Sequence, residues 1–322
     1  MRAIRVHETG GPEALRFEEM ELPSPGPGEA RVRHHAIGLN YIDVYYRTGL
    51  YPTATPFTPG SEGAGEVVAV GRGVKDLKEG DRVAYVARIG AYAEEANIET
   101  KLLAKLPKAI SYETAAAAML KGLTAQYLLR QTYRVKKGDT ILVHAAAGGV
   151  GQILCQWGRS LGASVIGTVG SSDKAALAKK AGATHVILYR DENFAERVAT
   201  ITKGAKCHAV YDGVGKATFP ASLDCLRPLG VFASYGSASG PIESFNIGLL
   251  AQKGSLFATR PTLFTFLADR ARYERMTRDL FSVLRSGAVK IKVGAQIPLA
   301  EAARAHIALE ARETTGSTVL LP

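Results

Sequence analysis

The segment TILVHAAAGGVGQILCQW constrains the chain most, because an apolar run ends in a turn of small residues and passes straight into an amphipathic pattern. A turn of this kind between a buried strand and a helix leaves no room for side chains beyond Cβ, and it exposes the N–H groups that open the helix. Gly148 and Gly149 permit the turn and Gly151 lets the helix pack near the strand, while Ala145 stands where the dinucleotide-binding pattern expects its first glycine. By itself the turn is a weak sign, so its context decides. SVIGTVG and DKAALAKKAG follow, then HVILYRD and NFAERVATITKG, then HAVYDGVG, the helical-looking ATFPASLDCLRPLG, and VFASYG. Apolar runs of about five residues alternating with helical stretches predict a parallel sheet covered on both faces, a doubly wound α/β domain.

The rest of the chain has another texture. Up to about residue 105 it breaks into short β-type runs such as ARVRHHAIGL, EGAGEVVAVG and DRVAYVARI, separated by PSPGPGE and PTATPFTPG. SYETAAAAMLKGLTAQYLLRQT then reads as a helix leaving a compact β domain. The tail reads as a polar-faced helix starting near Phe266, a strand-like KIKV, a helix EAARAHIALEAR and a final strand STVLLP, as if returning to the first domain. A length of 322 residues suits two domains.

The strand SVIGTVG selects the cofactor. An NAD site normally ends this strand with an acidic residue on the ribose 2′-hydroxyl. Here Gly170, Ser171 and Ser172 follow instead, with Lys174 able to supply positive charge to a 2′-phosphate, so NADPH is expected. Asp173 is discordant unless it faces away as a helix cap, and Tyr189 ends the next strand nearby.

Other chemistries lack their residues. Cys155, Cys207 and Cys225 have no C-x-x-C spacing, which suits a reducing cytoplasm and cannot supply a four-cysteine zinc site. PGSEGAGEVV carries Ser61 where zinc dehydrogenases resemble Gly-His-Glu, and neighbours His34 and His35 point to opposite faces of a strand, so no metal is expected. Neither a G-x-S-x-G elbow, an H-E-x-x-H helix nor a Walker loop occurs. MRAIRVHETGGPE lacks the apolar core of an export signal, and no apolar run approaches the roughly 20 residues of a membrane span. The net charge of +10 is spread along the chain without a basic run interleaved with aromatics, which ranks single-stranded RNA binding last.

With GGPEAL, AIGLNYIDVYYRTGLYP, PGSEGAGEV, LKGLTAQYLL, HAAAGGVG, GTVGSSDK, VYDGVG, SYGSASG, QKGSLFATRP and GSTVLLP in hand, the whole chain resembles the zinc-free quinone oxidoreductases, including zeta-crystallin, of the medium-chain dehydrogenase/reductase superfamily. The resemblance implies a GroES-like β-rich catalytic domain (1–122 and 260–322), a Rossmann domain (123–259), and a homodimer paired along a strand matching SLFATR. It implies cofactor contacts at Asn40, Tyr41, Ile42, Asp43 and Tyr45 near the nicotinamide, Tyr127, Gly149 and Val150 at the pyrophosphate, Gly170 to Lys174 and Tyr189 around the 2′-phosphate, and Arg312. Gly213, Tyr235, Gly236 and Ser237 match loops at the ends of later strands.

Hydride transfer needs the nicotinamide held against an electrophilic carbon with water excluded. Tyr45 and Tyr51, in an aromatic-rich loop, are placed to stack on a flat quinone, and Asn40 to orient the nicotinamide amide. An enal, enone or enoyl thioester is the competing acceptor.

Overall fold

The computed structural model describes residues 1–311 and 313–322. They divide into two compact units: Met1–Leu123 with Leu267–Arg285 and Ile291–Pro322, and Thr124–Phe266 with Ser286–Lys290.

The first unit is built on a seven-stranded sheet. Its spine is the strand Glu29–Gly38, in which Ala30, Val32, His34 and Ala36 are buried while Arg33 and His35 face outward, the alternation of a half-buried strand. It pairs antiparallel with Glu62–Val70, Glu95–Glu99 and the C-terminal strand Ser317–Leu321. Ser317–Leu321 in turn pairs parallel with Val293–Pro298, so both ends of the chain contribute to one sheet. Ile4, Val32, Ile37, Val67, Tyr85 and Leu320 are among the residues of its core.

The second unit contains a six-stranded parallel sheet. Across it run His185–Leu188, Ser164–Val169, Thr140–Val143, Cys207–Asp212, Leu226–Ser234 and Phe257–Thr259, so the first strand in sequence is central and the chain reverses direction beside it. This is the 3-2-1-4-5-6 order of a dinucleotide-binding fold, whose ligands bind at the carboxyl ends of strands at the reversal point. The helix Gly149–Ser160 packs on the sheet through Ile153, Leu154, Trp157 and Gly158, at the i, i+1, i+4, i+5 spacing of one helical face.

Four local readings change. ATFPASLDCLRPLG forms only the 3-10 turn Ala221–Cys225 before the next strand, because Pro220 and Pro228 remove the N–H groups that an α-helix would need. The tail helix starts at Arg270: Asp269 accepts the Arg272 N–H at 2.7 Å and caps it, while Phe266 ends up in a separate short helix, Leu263–Leu267. The strand expected at KIKV is Val293–Pro298 instead, which leaves KIK outside it. NYIDVYYR is a helix, Tyr41–Arg47, and not a loop. Among the described residues no helix is long and apolar enough to cross a membrane.

Candidate functional site

In the second unit the glycine turn stands at the carboxyl end of the central strand. Ala145 adopts the left-handed conformation (φ 51°), which costs a Cβ-bearing residue about 1–2 kcal/mol and explains why glycine is usual there. The Ala146 N–H donates to Thr168 O at 3.1 Å and the Gly148 N–H to Ala145 O at 2.8 Å, so the turn is fixed from both sides. A Cβ on Gly151 would stand 2.2 Å from Ala145 O, which excludes every side chain. Gly148 is the N-cap of the following helix and has no side chain to satisfy the first-turn N–H groups of Gly149 and Val150. That leaves donors for an anion.

Beneath the turn lies a network that sequence reasoning missed. Buried His144 meets Thr168 Oγ1 at 2.8 Å and Ser222 Oγ at 2.9 Å, and burial lowers its pKa, keeping it neutral. Thr218 donates to Asp212 Oδ2 at 2.6 Å, while Asp212 Oδ1 accepts the N–H groups of Val214 and Gly215. This carboxylate therefore shapes the Gly213 loop; the Asp-Gly-x-Gly spelling of an Asx turn was the available signal. Tyr235 and Gly236 donate their N–H groups to Asp212 O, and the Ala238 N–H reaches Gly213 O, so Gly213, Tyr235, Gly236 and Ser237 belong to one pair of adjoining loops. Tyr127 is buried, with its ring stacked 4.4 Å from Phe266.

Gly170, Ser171, Ser172, Lys174 and Tyr189 also come together. Ser171 is the N-cap of the helix Ser172–Lys180, yet its side chain makes no capping bond; Asp173 sits in the first turn and is not the cap. Parallel pairing of Leu188 with Val169 carries Tyr189 alongside Gly170, and a Cβ there would stand 2.9 Å from the Tyr189 hydroxyl. Arg190, not singled out in the sequence, leans over the same glycine. Arg312 lies outside the described residues.

The first unit holds the other predicted cluster. Asn40 is the N-cap of Tyr41–Arg47, and its backbone N–H donates to Asp43 Oδ2 at 2.8 Å. Its side-chain Nδ2 donates to Glu62 Oε1 at 2.7 Å and lies 3.4 Å from Gly38 O. With its N–H donors so engaged, this amide has an acceptor, Oδ1, as its remaining polar atom. Glu62 is fully buried; it also accepts the Leu120 N–H at 2.6 Å and pairs with Lys121, whose Nζ reaches Leu39 O.

Asp43 is equally buried and accepts from Ser61 Oγ and the Tyr92 hydroxyl, both at 3.0 Å. Burial pushes its pKa up to about 7, against the hydrogen bonds from Asn40, Ser61 and Tyr92 that favour the charged form. Behind it Tyr92 meets His306 Nε2, and His306 Nδ1 accepts from Arg47 Nη1 at 3.2 Å. The guanidinium can only donate, so Nε2 carries the proton and Tyr92 donates toward Asp43. Burial and then Arg47 lower the His306 pKa to about 3. Arg47 closes the network with a bidentate pair to Glu310 at 2.8 and 2.9 Å. Over the helix, Tyr45 lies 5.3 Å from Tyr51 and 6.1 Å from Tyr41, with Ile42 half-buried.

Zinc does not fit here. Ser61 is engaged by Asp43 and the Arg88 carbonyl, and no group of three His, Cys, Asp or Glu residues stands where an ion could be held, among the described residues. His34 faces inward, its Nδ1 donating to Ala93 O and its Nε2 accepting from Tyr85, whereas His35 stacks on Tyr112 outside.

Residues 26–131 match the alcohol dehydrogenase GroES-like domain and residues 149–280 the zinc-binding dehydrogenase family. The chain is 53% identical to a quinone oxidoreductase of Pseudomonas aeruginosa over 100% of its own length and 99% of that protein. It is 44% identical to a 2-haloacrylate reductase of Burkholderia over 99% of its length and 98% of that protein. The crystal structure of Escherichia coli quinone oxidoreductase complexed with NADPH superposes with a TM-score of 0.97, at 48% identity and full coverage of both chains. The chain belongs to the medium-chain dehydrogenase/reductase superfamily, close to the bacterial quinone oxidoreductases.

Proposed function

We propose that this protein is a zinc-independent NADPH:quinone oxidoreductase. The observation that carries the reading is the pairing of a glycine turn that excludes a side chain at Gly151 with Ser171, Ser172 and Lys174 at the end of the neighbouring strand, where an NAD enzyme would place an acid. NADPH, when bound, supplies the hydride. The chain's residues bind and orient: Gly149 and Val150 donate N–H groups to the pyrophosphate, Gly170 to Lys174 with Tyr189 take the adenosine end, and Tyr127, Gly213, Tyr235, Gly236 and Ser237 line the path between. Asn40, Tyr41, Ile42, Asp43 and Tyr45 serve the nicotinamide end and Arg312 completes the set. Tyr45 and Tyr51 hold the flat acceptor by their rings. Asn40, with its N–H donors engaged, accepts a hydrogen bond from the carboxamide instead of donating to a developing oxyanion.

The work divides between a catalytic domain (1–122 and 260–322) and a cofactor domain (123–259). A homodimer is supported by the edge strand Phe257–Thr259, whose Phe257 is 60% exposed, and a cytoplasmic location by three buried free cysteines. The likeness to a 2-haloacrylate reductase favours one second reading, reduction of an activated carbon–carbon double bond by the same cofactor.

The test follows NADPH absorbance with a soluble planar quinone, with NADH in place of NADPH, and with an enone or haloacrylate, each with and without chelator. Rapid, chelator-insensitive oxidation confined to NADPH and quinone is expected. Turnover with the double-bond substrate alone would transfer the assignment to the second reading, and no turnover with any acceptor would remove both.

A further inference from the structure

We propose that Arg190 is a second cation for the cofactor's 2′-phosphate and so a determinant of NADPH preference; this rests on the cofactor reading above. A phosphate monoester carries about −1.5 to −2 at pH 7, so one lysine leaves it partly uncompensated. The strand His185–Leu188 runs into a turn that carries Tyr189 and then Arg190, and the backbone bond from Tyr189 N–H to Val169 O keeps this stretch alongside Gly170. A Cβ on Gly170 would stand 3.4 Å from Arg190 Nε and 2.9 Å from the Tyr189 hydroxyl. A phenol and a guanidinium thus close over the same glycine, beside the uncapped Ser171 hydroxyl.

Arg190 also has an unused charge. It is exposed and, among the described residues, has no carboxylate within ion-pair distance, although Asp191 and Glu192 follow it. Glu192 is engaged elsewhere, by Arg197 at 2.6 Å and by the Leu188 N–H. Lys174 is likewise without an ion-pair partner among the described residues. A planar fork paired with a point charge suits a phosphate, since the fork fixes two oxygens and the ammonium adapts to the third.

Calorimetric titration of the full chain with adenosine 2′,5′-bisphosphate and with adenosine 5′-monophosphate tests this without relying on turnover. Arg190→Ala should weaken the bisphosphate roughly tenfold, the scale of one charge-assisted hydrogen bond, and leave the monophosphate within about twofold. Arg190→Lys should recover part of the loss. In turnover the KM for NADPH rises while kcat and the KM for NADH stay. Equal weakening of both nucleotides would overturn the proposal by assigning Arg190 to the adenine ring, as would an unchanged bisphosphate affinity beside a loss in Lys174→Ala. A wild-type protein with no preference for the bisphosphate would overturn the NADPH reading itself, and this proposal with it.

Discussion

Two helix starts carry the predicted chemistry, and they handle polar groups in opposite ways. At Tyr41–Arg47 the polar groups around Asn40, Asp43 and Glu62 are buried and bonded to one another, through Lys121, Ser61, Tyr92, His306 and Arg47. At Ser172–Lys180 the serine cap makes no capping bond, the lysine and the nearby arginine have no ion-pair partner among the described residues, and all three reach the surface. Buried groups must be satisfied within the protein, while groups that await a ligand cannot be. On the proposed function, the first region is a pre-arranged scaffold and the second a receptor. The same substitution should have different consequences in each.

The largest contrast comes from replacing one lysine in each region by methionine. Lys121→Met strands the Glu62 carboxylate in the interior, which should cost about 3–5 kcal/mol of stability. Lys174→Met removes a charge from the surface and should change stability by less than about 0.5 kcal/mol, while raising the KM for NADPH roughly tenfold. Denaturant unfolding and NADPH kinetics on the two variants read this directly. Similar stability losses in both would erase the distinction.

How much of this was legible in the sequence follows from how far apart the partners lie. The two strand-to-helix turns were readable because Gly148, Gly151, Gly170, Ser171 and Lys174 sit within short stretches whose geometry is local. The scaffold was not, because Asn40 meets Glu62 at a separation of 22 residues, Lys121 meets Glu62 at 59 and Arg47 meets His306 at 259. PGSEGAG was read for the histidine that Ser61 replaces, and the glutamate beside it was passed over. Periodicity also overran a cap at Asp269, since the apolar pattern continues smoothly through a residue whose carboxylate ends the preceding turn. In ATFPASLDCLRPLG composition favoured a helix, and two prolines decided otherwise.

A smaller effect separates the regions by pH. Burial lowers the His34 pKa to about 4, and that of His306 to about 3, so each stays neutral in the fold while the unfolded chain protonates it near pH 6.5. Their contribution is whole above pH 6.5 and is lost as pH falls toward 4 and 3, at about 1.4 kcal/mol per pH unit for each proton. Asp43 works the other way: with its pKa raised to about 7, it stabilises best at low pH and loses that contribution as pH rises from about 4 through 7. His34→Gln should thus be less stable than wild type at pH 7, with the gap closing by pH 4. A His34→Gln gap that is constant across this range would mean that the imidazole is not held neutral.

The smallest change addresses the ring that overlies the scaffold. Tyr51 packs 5.3 Å from Tyr45 and, edge-on, 5.7 Å from Tyr46, and its backbone N–H is anchored on Tyr45 O. Tyr51→Phe keeps both ring contacts and removes only the hydroxyl. If the tyrosines hold a flat acceptor by their faces, quinone kcat/KM should fall only about two- to threefold, the low end for one neutral hydrogen bond, with folding stability unchanged within about 0.5 kcal/mol. Steady-state kinetics at saturating NADPH give the answer. A fall beyond a hundredfold, roughly 2.7 kcal/mol of transition-state stabilisation, would make the hydroxyl a proton donor to the reduced acceptor. The scaffold region would then hold a reacting group of its own, and the division into scaffold and receptor would have to be redrawn with chemistry on both sides.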